Sequence, residues 1–140
     1  MSHDMKAITA LLHEGGYRVT PQRQLIIDAV CHLGGHVTPE TVYTYVHATA
    51  PALNRATVYR TLAFLSERGI LNTVRLANGH TGYELAQPEP HHHLVCRACG
   101  HAVEIGHDAI GLLFDQLACE HHFIVETRHL TLHGICRQCQ

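Results

Sequence analysis

The sequence lacks any long apolar run. No stretch approaches the ~20 apolar residues that a membrane helix needs, and the opening MSHDMKAITA has no basic region followed by an apolar segment, as a secretory signal would. HExxH and other hydrolytic motifs are also missing. We therefore expect a soluble, cytoplasmic protein that makes no membrane contact.

An overall basic charge is missing as well. The 140 residues carry a formal net charge of −2, which argues against general nucleic-acid binding. Residues 1–87 nevertheless contain seven Lys and Arg against six Asp and Glu, whereas residues 88–140 contain three against six. Any DNA contact must come from a local basic surface on the N-terminal half.

Cysteine and histidine are the residues in which the chain is rich. Without an export signal, the six cysteines are expected in a reducing compartment, where paired CxxC motifs more often hold metal than form disulfides. Nine of the fifteen histidines follow residue 87. Metal binding by the C-terminal half is the default interpretation.

Two prolines in QPEP, residues 87–90, disfavour a continuing helix or central strand and predict a linker. We expect three segments: a DNA-binding domain over 1–86, a hinge linker over 87–90, and a dimerisation and metal-binding domain over 91–140.

Four helices are predicted before the linker, at about 4–14, 21–33, 38–49 and 54–68. Thr20 and Thr38 each precede a proline, which matches an N-cap followed by proline at the first helical position, and Asn54 is a third candidate cap. ILNTVRL and TGYELA flank the turn-forming Asn78 and Gly79, which predicts a hairpin. Helices followed by a hairpin indicate a winged helix-turn-helix.

After the linker we predict strands near 92–96, 101–105 and 122–133 and a helix near 108–120. The fold class is therefore α+β, with a winged helix-turn-helix domain followed by a small α/β domain. About 50 residues with few aromatic side chains make a thin core, which usually needs a metal or a partner chain.

The cysteines of CRACG and CRQC form two CxxC pairs, Cys96 with Cys99 and Cys136 with Cys139. Each pair places two thiolates on one turn, and two such turns complete a closed tetrahedral Zn²⁺ site of the structural kind. A redox or disulfide pair is the alternative.

In the extended stretch HHHLV, His91 and His93 point to one face and His92 to the other. Two imidazoles on one face make half of a metal site. The candidates for the remaining ligands are the following: His36, Glu84, His101, Glu104 and His107. Three imidazoles with two carboxylates would suit Fe²⁺, Mn²⁺, Co²⁺ or Zn²⁺.

Residues 54–69 place Val58, Leu62 and Leu65 on one stripe, which predicts a buried helix face. Arg60 lies on the far side with small residues, flanked by Arg55 and Tyr59. Such a face can approach a groove and read base edges or phosphates, although an ordinary amphipathic helix with solvated arginines is the plainer alternative.

These features together resemble the ferric uptake regulator family of bacterial metal-dependent repressors. The matching segments are GYRVTPQR, HVTPETVY, ATVYRTLAFLSERGI, YELA, HHHLVCRACG with Glu104, and CRQC. They extend over nearly the whole chain.

The resemblance implies a repressor that binds an operator in double-stranded DNA as a homodimer through its C-terminal domain. Structural zinc would be held by Cys96, Cys99, Cys136 and Cys139. The regulatory hinge ligands would be His36, Glu84, His91, His93 and Glu104. DNA contacts would include Arg18 in the minor groove and Tyr59 with Arg60 in the major groove.

A further metal site of many members is not matched, because its four positions read Pro90, His92, Gly111 and Arg128 here. We predict that this site is absent or rebuilt with His129 or His107.

The regulatory metal is expected to be Fe²⁺, with Zn²⁺ or Mn²⁺ as alternatives. Peroxide-sensing members carry aspartates where this chain has Glu84 and Glu104, and zinc uptake regulators often place a cysteine in the hinge. Two other classes remain open: a zinc metalloenzyme built on His91 and His93, and a metal-buffering or scaffold protein.

Overall fold

In a computed structural model the chain is described for residues 2–76 and 79–140, without the side chains of residues 2–4. It divides into two compact units, unit 1 over Met1–Val74 and Thr81–Ala86, and unit 2 over Arg75–His80 and Gln87–Gln140. Residues 75–80 thus group with unit 2, whereas the sequence analysis assigned them to the first domain. The domain limits and the role of each domain stay predictions.

Unit 1 begins with four helices: α1 over Ser2–Glu14, α2 over Pro21–Leu33, α3 over Pro39–His47 and α4 over Arg55–Glu67. The three predicted caps are confirmed, because the side chains of Thr20, Thr38 and Asn54 accept hydrogen bonds from backbone N–H groups in the first turns of α2, α3 and α4.

The predicted stripe of α4 is buried, with Val58 and Leu62 fully enclosed. It packs into a core that draws residues from all four helices, among them Leu12, Ile26 and Val42. The opposite face of α4 is thereby left to solvent.

The wing is a two-stranded sheet of β1, Leu71–Arg75, and β2, Thr81–Leu85. Its predicted turn includes Asn78, which lies outside the described residues. An isolated bridge joins Val37 to Tyr83 through two hydrogen bonds, of 2.8 and 2.7 Å. It ties the segment before α3 to the wing.

Unit 2 is a three-stranded sheet with one helix. The strands are β3, His91–Cys96, β4, Ala102–Gly106, and β5, His129–Gly134, in the order β4-β3-β5. β3 pairs antiparallel with β4 and parallel with β5. The helix α5 covers Asp108–His121, and a short 3-10 helix covers Arg137–Cys139.

The prediction of a strand from residue 122 is wrong, because β5 begins only at His129. His122 has φ 49°, the left-handed conformation that ends α5. The apolar side chains of Phe123 and Ile124, which suggested a strand, are 64% and 78% exposed and lie on no sheet.

The predicted α+β class, with a winged helix-turn-helix unit followed by a small α/β unit, is confirmed. Within the described part of the chain, no helix has both the length and the apolar character to cross a membrane.

Candidate metal and nucleic-acid sites

The four CxxC cysteines come together at one end of the unit 2 sheet. Cys96 ends β3, Cys99 lies in the turn that follows, Cys136 immediately precedes the terminal 3-10 helix, and Cys139 is its last residue. Their sulfur atoms all lie within 4.8 Å of one another, and Cys99 Sγ is 3.7 Å from Cys136 Sγ. Tetrahedral zinc with 2.3 Å bonds to sulfur requires edges of about 3.8 Å, so the cluster fits zinc.

The electrostatics of this cluster call for a dication. Backbone N–H groups of Cys136 and Cys99 lower the pKa of the Cys96 thiol to about 6. Hydrogen bonds with the sulfurs of Cys136 and Cys99 raise the pKa of the Cys139 thiol to about 12. The crowded sulfurs thus oppose ionisation of Cys139, whereas Zn²⁺ stabilises every thiolate at once.

Three imidazoles form a second cluster in unit 2. They lie on the face of the sheet opposite to the Leu94 side chain. His91 and His93 extend from β3, and His129, which pairs directly with His91 across the parallel strands, extends from β5. The ring centroids are separated by 5.0 Å for His91 and His93, 4.9 Å for His91 and His129, and 4.7 Å for His93 and His129. Each ring offers a nitrogen within 4.8 Å of the others.

This cluster is preorganised for a metal. His91 and His93 are buried, at 4% and 1% exposure. The Nδ1 of His91 lies 3.3 Å from the carbonyl oxygen of Glu89 and donates to it, which makes Nε2 the candidate metal-binding nitrogen. Imidazoles held together in this way are suited to a divalent cation.

His92 faces the opposite side of β3 and is fully buried. Its Nδ1 accepts a 3.1 Å hydrogen bond from the Leu130 N–H, and its Nε2 lies 3.0 Å from Nδ1 of His107. Burial, aided by the His107 imidazole, lowers the pKa of His92. His92 is thus occupied by protein partners on both nitrogens.

Unit 1 supplies a separate pair of candidate ligands. His36 Nε2 lies 2.9 Å from a carboxylate oxygen of Glu84. The bridge between Val37 and Tyr83 places the two residues side by side, and Glu84 is only 5% exposed. A buried carboxylate beside an imidazole is a two-ligand arrangement for a divalent metal.

Glu104, the remaining predicted hinge ligand, pairs with His93 across β3 and β4 and so lies on the same face. It is exposed. The third imidazole, His129, was missed as a partner of His91, because alternation along HLTLH shows which residues share a face but not which strand lies beside them.

The predicted DNA-contacting residues are exposed on unit 1. Arg18 and Arg60 line one polar cavity of about 340 Å³ between the start of α2 and the first turns of α4. Arg23, which sequence analysis did not single out, donates a 2.8 Å hydrogen bond to the Arg18 carbonyl and stacks over Phe64 at 4.2 Å. Three guanidinium groups around one cavity suit a phosphate.

Arg55 and Tyr59 lie on the flank of α4 that faces α3. The Arg55 guanidinium stacks 4.3 Å above the Tyr43 ring. The Tyr59 hydroxyl donates a hydrogen bond to Glu40, which raises the pKa of Tyr59. Glu40 is therefore a further member of this surface that sequence analysis missed.

Comparison with known sequences gives one consistent result. The sequence model of the ferric uptake regulator family matches residues 14–139. A ferric uptake regulation protein of Synechococcus elongatus is 32% identical over 100% of this chain and 97% of its own length. Another, of Campylobacter upsaliensis, is 34% identical over 92% of this chain and 84% of its own length.

Solved structures agree. The ferric uptake regulator of Helicobacter pylori superimposes with a TM-score of 0.81 over 99% of this chain and 92% of its own, at 19% identity, which shows the fold alone. An iron-containing ferric uptake regulator of Francisella tularensis gives 0.77 at 29% identity, over 89% of this chain and 95% of its own. A zinc-bound manganese uptake regulator gives a TM-score of 0.71 at 28% identity, over 92% of this chain and 97% of its own.

Proposed function

Because this chain belongs to the ferric uptake regulator family, we propose that it is a metal-responsive repressor whose metal, bound at the hinge, promotes binding to a DNA operator. Members of the family are transcriptional regulators that bind DNA as dimers, so the chain is not an enzyme. The metalloenzyme alternative is thereby set aside.

One observation carries the proposal: each unit holds an incomplete set of metal ligands. Unit 1 offers His36 with Glu84, and unit 2 offers His91 with His93. Neither pair alone fills the coordination of a divalent cation. We propose that one ion takes both pairs and a fifth ligand from unit 2, which the sequence predicts to be Glu104, and so favours one angle at the linker 87–90.

The energetics of such a switch are reasonable. Metal shifts a conformational equilibrium only through its differential affinity for the two states, and a shift from 1:99 to 99:1 needs about 5.5 kcal/mol. Two or three ligands recruited only on closure are sufficient for that difference. In a symmetric dimer the closed angle fixes the spacing between two α4 helices, which must match the half-sites of an operator.

The DNA-contacting surface is proposed to be the solvent-facing side of α4 with the loop before α2. Arg18 would reach the minor groove, and the cavity that it lines with Arg60 would receive a backbone phosphate. Tyr59 and Arg60 would face the major groove, with Arg55 on the flank. The chain's net charge of −2 makes this local cluster, rather than the overall charge, the source of affinity.

Homodimerisation is proposed through unit 2. Leu94, Val103 and Leu132 form one row across the three paired strands, and each side chain is 41–43% exposed. They line an apolar groove of about 550 Å³. An exposed apolar row in a thin domain is expected to be covered, and a second copy is the partner that the family supplies.

For the metals, we propose structural Zn²⁺ at the four cysteines and Fe²⁺ as the regulatory ion. The sequence lacks the aspartates of peroxide sensors and the hinge cysteine of zinc sensors, and the curated relatives are ferric uptake regulation proteins. Zinc is the second candidate, because the imidazole cluster of unit 2 is richer in nitrogen than the predicted ligand set.

The test is metal-dependent DNA binding by full-length protein. A duplex is first selected from a random library by the metal-loaded protein, and its affinity is then measured with and without Fe²⁺, Mn²⁺ or Zn²⁺ at fixed salt. His91→Ala combined with His93→Ala should abolish the metal stimulation. The control, His121→Ala on the exposed end of α5, should retain it. Unchanged stimulation in the double variant would refute the hinge proposal.

A further inference from the structure

We propose that His129 is a metal ligand, so that unit 2 by itself presents a three-histidine site in place of the two histidines and Glu104 expected from the sequence. The inference deepens the proposed function by naming the ligands and the metal class of its regulatory site. It rests on that function only for the consequence of binding, since metal capture by three imidazoles requires no DNA.

The sheet register carries the first step. His91 lies between Gly106 on β4 and His129 on β5. Gly106 has no side chain, so the imidazole that pairs with His91 across the strands is that of His129. Parallel pairing puts directly paired residues on the same face, which aims both rings into one space.

Distances and burial carry the second step. The three ring centroids form a nearly equilateral triangle with sides of 5.0, 4.9 and 4.7 Å. The interplanar angles of 89°, 75° and 63° prevent stacking and let one nitrogen of each ring point towards a common centre. Two of the rings are buried, although histidine has only an intermediate tendency to be buried, so their burial calls for a polar role.

The position of Glu104 carries the third step. Glu104 pairs with His93 rather than with His91. It lies on β4, which is separated from β5 by β3, and its side chain is exposed. An exposed, hydrated carboxylate gains less from binding a cation than half-buried His129 does. His129 is therefore the better third ligand.

Replacing a carboxylate by an imidazole changes which metals bind well. Imidazole suits Zn²⁺, Co²⁺ and Ni²⁺, whereas carboxylates suit Mn²⁺ and Mg²⁺. With His36 and Glu84 added, the complete set would contain four imidazoles and one carboxylate. We expect affinity to rise from Mn²⁺ through Fe²⁺ to Zn²⁺ more steeply than for a set with two carboxylates.

The first experiment titrates Co²⁺ into the full chain with zinc retained at the cysteines. A site of histidines and a carboxylate gives visible d–d bands without the intense thiolate charge-transfer band, which separates it from the cysteine cluster. His129→Ser should weaken Co²⁺ binding by at least about 10- to 100-fold, the loss caused even by removing a residue that only supports a ligand. The matched histidine control His133→Ser should change it little, and Glu104→Gln should weaken it less than His129→Ser does.

A second variant tests the metal class. His129→Glu places a carboxylate where the imidazole stands, so the ratio of Zn²⁺ to Mn²⁺ affinity should fall by at least about tenfold. If His129→Ser leaves the Co²⁺ spectrum and affinity unchanged while Glu104→Gln weakens them, the inference is overturned, and the repressor proposal, tested through His91 and His93, is untouched.

If His129→Ser does not fold, NMR of the wild-type chain tests the same inference. On adding Zn²⁺, the ring nitrogens of His129 should shift together with those of His91 and His93, while those of His133 stay in place. A stationary His129 signal overturns the inference.

Discussion

The backbone N–H of Leu130 on β5 donates a hydrogen bond of 3.1 Å to Nδ1 of His92 on β3. Since Nδ1 accepts, the neutral ring must carry its proton on Nε2, which lies 3.0 Å from Nδ1 of His107 and donates to it. Protonation of His92 would set two N–H groups against each other. The structure therefore holds His92 in one neutral tautomer.

This relationship predicts acid sensitivity of unit 2. Burial lowers the pKa of His92 in the folded state, so its stabilising contribution is complete above about pH 6.5 and is lost as the pH falls from there towards the folded-state pKa. His92→Asn keeps an acceptor near the Nδ1 position but does not titrate, and should flatten this dependence. His92→Leu removes the acceptor and should cost about 1–3 kcal/mol at neutral pH.

The measurement is urea unfolding of unit 2 between pH 5 and pH 7.5, with the regulatory metal removed and the structural zinc retained. An equally steep loss of stability in wild type and His92→Asn would show that other groups cause it.

The cysteine cluster predicts a selective loss of zinc. Cys136→Ser removes one sulfur ligand but keeps the backbone N–H of residue 136 that donates to the Cys96 sulfur. Zinc affinity should fall by at least about 10- to 100-fold. Hydrogen exchange should then accelerate in β3 and β5 but not in α2. Cys119→Ser, which removes an exposed cysteine of α5, should keep both zinc and protection; zinc retention by Cys136→Ser would contradict the assignment.

Arg23 is predicted to position Arg18 for DNA. Its guanidinium donates to the Arg18 carbonyl and stacks over the Phe64 ring. Lysine would keep the positive charge, but it lacks the planar guanidinium that makes both contacts at once. Arg23→Lys should therefore weaken DNA binding nearly as much as Arg18→Ala. The double variant should be little worse than either, with a coupling of about 0.5–3 kcal/mol. Fluorescence anisotropy at fixed salt measures it, with Arg97→Lys in unit 2 as control; strictly additive losses would exclude the positioning role.

Glu40 is predicted to restrain DNA affinity. Its carboxylate accepts from the Tyr59 hydroxyl and holds a negative charge at the surface that we propose for DNA. Glu40→Gln keeps an acceptor and removes the charge, so affinity should rise about two- to tenfold at low salt, with a smaller gain at high salt. Glu67→Gln at the end of α4 is the control. Weaker binding by Glu40→Gln would indicate instead that the carboxylate contacts a base.

If the apolar row of unit 2 is the dimer interface, a charge placed within it should prevent dimerisation. Leu94→Lys places a charge in the centre of the exposed row and should shift analytical ultracentrifugation profiles from dimer to monomer, because burying an unpaired ammonium is costly. Leu33→Lys, at a comparably exposed leucine of unit 1, should remain dimeric. A dimeric Leu94→Lys protein would place the interface elsewhere.

Local chemistry made much of this protein readable from its sequence. Thr20, Thr38 and Asn54 cap helices because short polar side chains satisfy the first N–H groups of the next turn, a relationship within three residues. The spacing of Val58 and Leu62 likewise fixed the buried face of α4. The predicted start of β5 was wrong because it depended on a contact distant in the chain. Phe123 and Ile124 are apolar, as strand residues often are, but they pair with no neighbouring strand.

The sequence by itself determined the two CxxC turns, the capped helices and the face that His91 and His93 share, because each follows from bonding and periodicity over a few residues. Only the tertiary structure decided that His129 stands beside His91 and that His36 meets Glu84. Both meetings depend on pairing between segments distant in the chain, namely the parallel register of β3 with β5 and the bridge from Val37 to Tyr83. Strand order and register are set by how whole faces pack, which local patterns do not encode.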